Sequence, residues 1–135
     1  GFYLDKSTYA MEWAFVMTAW KRVGFLPGDK TISIRGGEFN KANRGIFWHL
    51  NPAYNMLEMS PFHLNKKNLP SYINKIIKYK PKFIHGYPSS ITVLAKYCED
   101  NSIKLPFIKA ILAISENIYP EQRKFIEKIF DTRLF

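Results

Sequence analysis

The chain has 135 residues, enough for one domain or part of one, and its 47% hydrophobic and 16% aromatic content supports a packed core and excludes a disordered polymer. No stretch approaches the roughly 18 uninterrupted apolar residues of a membrane span; the most apolar run, Ala10 to Trp20, is broken by Glu12 and followed by Lys21 and Arg22. The net charge of +9 comes from lysines scattered in runs of no more than two, which favours a solvated surface over a nucleic-acid footprint and still allows a cleft that attracts phosphorylated small molecules.

In chain order, a first helix is expected from about Thr8 to Val23, with Asp5 or Ser7 at its start and Gly24 at its end. Apolar residues cover most of its surface, which predicts burial on several sides. After the turn Pro27-Gly28-Asp29, Thr31 to Arg35 reads as a strand closed by Gly36-Gly37. Ile46 to Leu50 and Tyr54 to Met59 read as short strands around Asn51-Pro52. Leu69 to Tyr79 carries a helical stripe of Leu69, Tyr72, Ile73, Ile76 and Ile77, with Asn68 as its cap and Pro81 as its stop.

From Lys82 the pattern is strand, helix, strand, helix, strand. Lys82 to His85 is a strand. Gly86-Tyr87-Pro88-Ser89 is a turn with Ser89 as N-cap, and the helix runs from Ser90 to Asp100 with Ile91, Leu94, Ala95 and Cys98 inward. Ala110 to Ile114 is a continuous apolar strand, Pro120 opens a helix, and Arg133-Leu134-Phe135 begins a last strand. This alternation predicts an α/β fold: a layered, mainly parallel sheet with flanking helices and right-handed crossovers. Residues 1–135 read as a single α/β segment cut at both ends from a larger protein, since a strand ending at Phe135 would leave a pairing edge exposed.

Ligands of open parallel sheets bind outside the carboxyl ends of the strands. Gly36-Gly37, Gly86-Tyr87-Pro88-Ser89 and Ser115-Glu116-Asn117 all belong there, and the last two open onto helix N-termini, where free N–H groups favour anions. Taken singly they are a turn, a cap and a surface charge. There is no GxGxxG, Walker A loop or GxSxG elbow. His49, His63, His85 and Cys98 lack metal-site spacing, so each histidine is expected to be a hydrogen-bonded structural or surface residue. The methionines and tryptophans read as core packing. The single cysteine excludes an internal disulfide and fits a reducing, cytoplasmic compartment; no secretory leader is visible.

Four passages together resemble the phenylacetate–CoA ligase-like branch of the adenylate-forming (AMP-forming) enzymes, and within it the CapK-type capsular polysaccharide biosynthesis subgroup. Trp20-Lys21-Arg22-Val23-Gly24-Phe25-Leu26-Pro27-Gly28-Asp29 is similar to that family's W-x-R-x-G-x-x-x-G-D passage. Tyr79-Lys80-Pro81 with His85-Gly86-Tyr87-Pro88-Ser89 is similar to its Y-K-P…G-Y-P-S segment. Ser115-Glu116-Asn117 with Tyr119-Pro120-Glu121-Gln122-Arg123 is similar to its S-S-E-x-L-x-P-x-Q-R segment. Phe2-Tyr3-Leu4-Asp5 resembles the stretch after its phosphate loop.

The resemblance implies an enzyme that joins ATP and a carboxylate into an acyl-adenylate, with magnesium, and passes the acyl group to a thiol such as coenzyme A. It implies that Ser115, Glu116 and Asn117 border the nucleotide, and that Gly36, Gly37, His85, Gly86, Tyr87, Pro88 and Ser89 line the acyl side. No catalytic or metal-binding residue is assigned within the chain. The phosphate loop, the Tyr-Gly-x-x-Glu motif and the lysine-bearing C-terminal domain fall outside it, so it is expected to be inactive alone and to hold no tightly bound cofactor. Ile114 departs from the small residue usual before the Ser-Glu pair. Two other readings stay open: a basic nucleic-acid-binding α/β module, and a non-catalytic oligomerisation scaffold that self-associates through the apolar first helix.

Overall fold

A computed structural model describes residues 6–36 and 44–135, the side chains of residues 6–10, 12 and 13 excepted. Helix α1 (Lys6–Lys21) is followed by strand β1 (Thr31–Ile34), then the hairpin β2 (Trp48–Asn51) and β3 (Met56–Met59). Next come α2 (Leu69–Tyr79), β4 (Phe83–Gly86), α3 (Pro88–Asp100), β5 (Ala110–Ala113), α4 (Pro120–Phe130) and β6 (Arg133–Leu134). The strands form one six-stranded sheet in the order β2-β3-β1-β4-β5-β6. Every neighbouring pair is parallel except the β2–β3 hairpin. The expected α/β layering is therefore present, with one antiparallel edge strand added by the Pro52–Asn55 turn.

The alternating side chains of the strands divide the core in two. On one face Ile32, Ile34, Leu57, Met59, Ile84 and Ile111 meet the stripes of α2, α3 and α4: Tyr72, Ile73 and Ile76, then Ile91, Leu94 and Cys98, then Ile126 and Ile129. Each fully buried aliphatic side chain contributes about 1.5–3 kcal/mol. On the other face Met56, Phe83, Ala110 and Leu112 pack under Trp20 and Phe25. β1 and β4 are buried at all four positions; β1 is built of apolar and small residues, whereas β4 carries the polar His85 among its buried side chains.

Several local expectations change. Asn68 makes no side-chain cap bond to α2; its amide reaches back to the His63 carbonyl at 3.0 Å. The bounds of α2 are as expected: it ends at Tyr79, and Lys80 in the left-handed region at φ 53° leads into Pro81. α3 begins at Pro88 with Tyr87 as its N-cap, so Ser89 lies inside the first turn and is not the cap. α1 is not buried on several sides: Met11 and Phe15 are 72% and 79% exposed, and Met11 is no core filler. Among the described residues, α1 meets the core through Trp20, with Val16 and Met17 partly buried beside it.

Candidate functional site

The carboxyl ends of β1, β4 and β5 lie side by side because Ile34 pairs with Gly86 and Gly86 with Ala113. Backbone bonds continue that pairing past the strands: Tyr87 N–H donates to the Ile34 carbonyl at 3.2 Å, and Ile114 N–H to the Gly86 carbonyl at 3.1 Å. Gly86 permits this closeness, since a Cβ there would collide with the Ile34 carbonyl. All three turns therefore leave from one rim.

Side chains tie the turns to one another. The Tyr87 hydroxyl accepts from Gly36 N–H at 3.4 Å. The Glu116 carboxylate accepts twice from Ser89, from its N–H at 2.9 Å and from its hydroxyl at 2.8 Å. Glu116 thus sits over the N-terminus of α3 and satisfies a free helical N–H there. Ser115 stands exposed with φ 61°, a left-handed conformation that turns the chain sharply off β5. Asn117 is exposed beside it. Pro88 is buried at the start of α3. Gly37 lies outside the described residues.

The expectation of open anion sites at two helix N-termini fails at the first, where Glu116 accepts the Ser89 N–H. At the second, Gln122 folds back to accept from Tyr119 N–H at 3.4 Å, while its amide donates to Thr92 at 2.9 Å.

A feature missed by sequence reasoning is an apolar cleft of about 450 Å³ beside this rim. Phe15, Ala19 and Trp20 of α1 form one wall; Leu112 and Ile114 at the end of β5, with Phe135, form the other. Gly36 and the His85 to Ser89 segment are not among its lining residues. The signal was present in the outward apolar residues of α1, which the sequence alone cannot distinguish from core.

The histidines divide. His63 Nδ1 is hydrogen-bonded to the Ser60 hydroxyl at 2.8 Å, and His49 forms an exposed ion pair with Glu58 at 2.5 Å. His85 overturns the expectation of a hydrogen-bonded or surface residue. It is 1% exposed, neither ring nitrogen has a partner among the described residues, and its ring meets the Trp20 indole edge-on at 4.6 Å. Burial, then the nearby charge of Arg35, pushes its pKa down to about 3. Cys98 is buried too, which pushes its thiol up to about 11 and makes it a poor nucleophile. Among the described residues no group of three His, Cys, Asp or Glu could hold a metal ion, and no helix is long and apolar enough to cross a membrane.

No protein-family model matches the chain. It is 31% identical over 133 residues to Protein CapK of Staphylococcus aureus, a match that takes in 96% of this chain and 30% of that protein. The resemblance to the CapK-type subgroup is thus borne out along nearly the whole chain, which spans under a third of the relative's length. Two structures of 2-hydroxyisobutyryl-CoA ligase share the fold. The postadenylation state with R3-HIB-AMP superposes with a TM-score of 0.58 at 15% identity, over 85% of this chain and 25% of that one. The open conformation with 2-HIB-AMP and CoA gives 0.57 at 16% identity, over 91% and 28%.

Proposed function

We propose that this CapK-like chain is the central part of the large domain of an ATP-dependent carboxylate-activating ligase, and that its rim of strand ends faces the acyl-adenylate. The observation that carries this reading is the joining of three distant turns, through Gly36–Tyr87 and Ser89–Glu116, beside an apolar cleft.

The cleft suits an acyl chain, being apolar and of ordinary ligand size. Ile114 lines it and Ser115 follows directly in sequence, so the acyl and nucleotide sides adjoin. Ser115 and Asn117 offer exposed polar groups to the nucleotide. Glu116 acts by holding the Ser89 turn in place, since both of its oxygens are occupied. The magnesium that accompanies ATP would find its ligands elsewhere in the parent protein. Magnesium supplies charge neutralisation on the phosphates; these residues supply position and exclude water. Coenzyme A is the proposed acceptor, capsule synthesis the proposed pathway and the cytoplasm the proposed compartment.

The test is pyrophosphate release by the full-length protein with ATP, magnesium and a panel of carboxylates. Carboxylate-dependent release is expected there. No turnover is expected from this chain alone, which spans 30% of CapK. ATP hydrolysis that ignores every carboxylate would sink the reading.

A further inference from the structure

His85 is a buried polar group whose ring nitrogens have no partner among the described residues, and the proposed adenylation chemistry does not use it. Leaving a buried donor and acceptor unmade costs about 1–3 kcal/mol, and folded proteins seldom keep such groups without a use. A leucine would fill the same space among Trp20, Phe83 and Leu112 at no such cost. The position of the ring suggests the use. His85 pairs in register with Leu112 on the face that α1 covers, and its ring touches Trp20. Leu112 and Trp20 both line the apolar cleft. The imidazole therefore lies one side-chain layer behind the cleft wall, separated from it by the buried Trp20 indole, which also packs edge-on against Phe25 at 5.1 Å.

We propose that His85 is a specificity-determining residue that receives a hydroxyl carried on the acyl chain, with the Trp20 indole as the movable partition. This rests on the ligase reading given above and names the substrate class of that site: hydroxyl-bearing aliphatic carboxylates. A neutral imidazole presents one donor and one acceptor, and a hydroxyl answers both. An ammonium tail would meet the positive charge of Arg35, which is felt at this ring. A second carboxylate would have to lose its hydration beside a ring kept neutral by burial.

The experiment uses the full-length protein and matched pairs of butanoate, hexanoate and octanoate with their terminal-hydroxy analogues. Pyrophosphate release should favour one hydroxylated member over its plain partner by about tenfold in kcat/KM. His85→Leu should bring that ratio to about one, and His85→Gln, which keeps a donor and an acceptor, should restore part of it. A wild-type ratio of one for every pair, or an unchanged ratio in His85→Leu, would overturn the inference.

A second measurement does not depend on turnover or on a variant that folds. Terminal-hydroxy hexanoate at saturation should shift the ring-nitrogen resonances of His85 in the wild-type protein, and hexanoate should not. Absence of that difference overturns the inference. The shift without any carboxylate-dependent pyrophosphate release would support His85 as a hydroxyl receptor and count against the ligase reading alone.

Discussion

The Glu116 carboxylate holds both the backbone N–H and the hydroxyl of Ser89, 27 residues away in the chain, at 2.9 and 2.8 Å. This one contact locks the turn after β5 to the first turn of α3 and supplies the latter's cap. Glu116→Ala should therefore lower stability by about 1 kcal/mol, the usual effect of losing a helix cap. Glu116→Gln, which keeps one accepting oxygen, should cost about half as much. Urea titration of the chain measures both. Equal stability of wild type and Glu116→Ala would show that the contact does not hold the rim.

Two glycines at the same rim should behave oppositely. Gly86→Ala forces a Cβ into the Ile34 carbonyl, between two central strands that cannot separate. Overpacking of this kind costs about 1–3 kcal/mol or more. At Gly36, among the described residues, an added Cβ meets the Tyr87 hydroxyl alone, at 3.7 Å, so Gly36→Ala should change stability by less than about 0.5 kcal/mol. Thermal unfolding of the pair checks the contrast.

Tyr72 is fully buried and its hydroxyl donates to the Ser60 carbonyl at 2.7 Å, between the hairpin and α2. Tyr72→Phe should cost about 1–2 kcal/mol, because the Ser60 carbonyl is then left unpaired beside a ring that still packs on Phe47. An unaffected denaturation midpoint would mean that water replaces the bond.

His85 gives stability a pH dependence of definite sign. Its pKa is 6.5 when exposed and about 3 in the fold, because burial and then Arg35 disfavour the cation. Between those values the unfolded chain binds the proton and the folded chain does not. Stability is therefore full above about pH 6.5 and falls as pH drops, by at most ~1.4 kcal/mol per pH unit from this group. Comparing denaturation midpoints at about pH 7 and pH 5 tests it; the drop should shrink in His85→Leu. The same drop in wild type and variant would assign the effect to other groups.

The apolar periodicity of α2, the unbroken apolar run of β5 and the strand–helix alternation after Lys82 made the fold legible in the sequence. Burial on both faces leaves little freedom to such segments. The meeting of the three turns was legible for the same reason, since parallel neighbours share a carboxyl edge. Three things were not. The N-cap of α3 moved from Ser89 to Tyr87 because Pro88 suits the first helical position and Glu116 arrives from a distant segment. The partial cover of α1 could not be told from a buried helix, because its apolar residues surround it. The orphan state of His85 depends on what packs around it, which no local pattern carries.

The central claim, that this rim faces a nucleotide, is tested most directly by photolabelling the full-length protein with an azido analogue of ATP and mapping the adduct. The account predicts crosslinks within residues 86–89 or 115–117 that excess ATP suppresses. Adducts confined to the opposite edge of the sheet, at residues 30, 80–82 or 109, would contradict it.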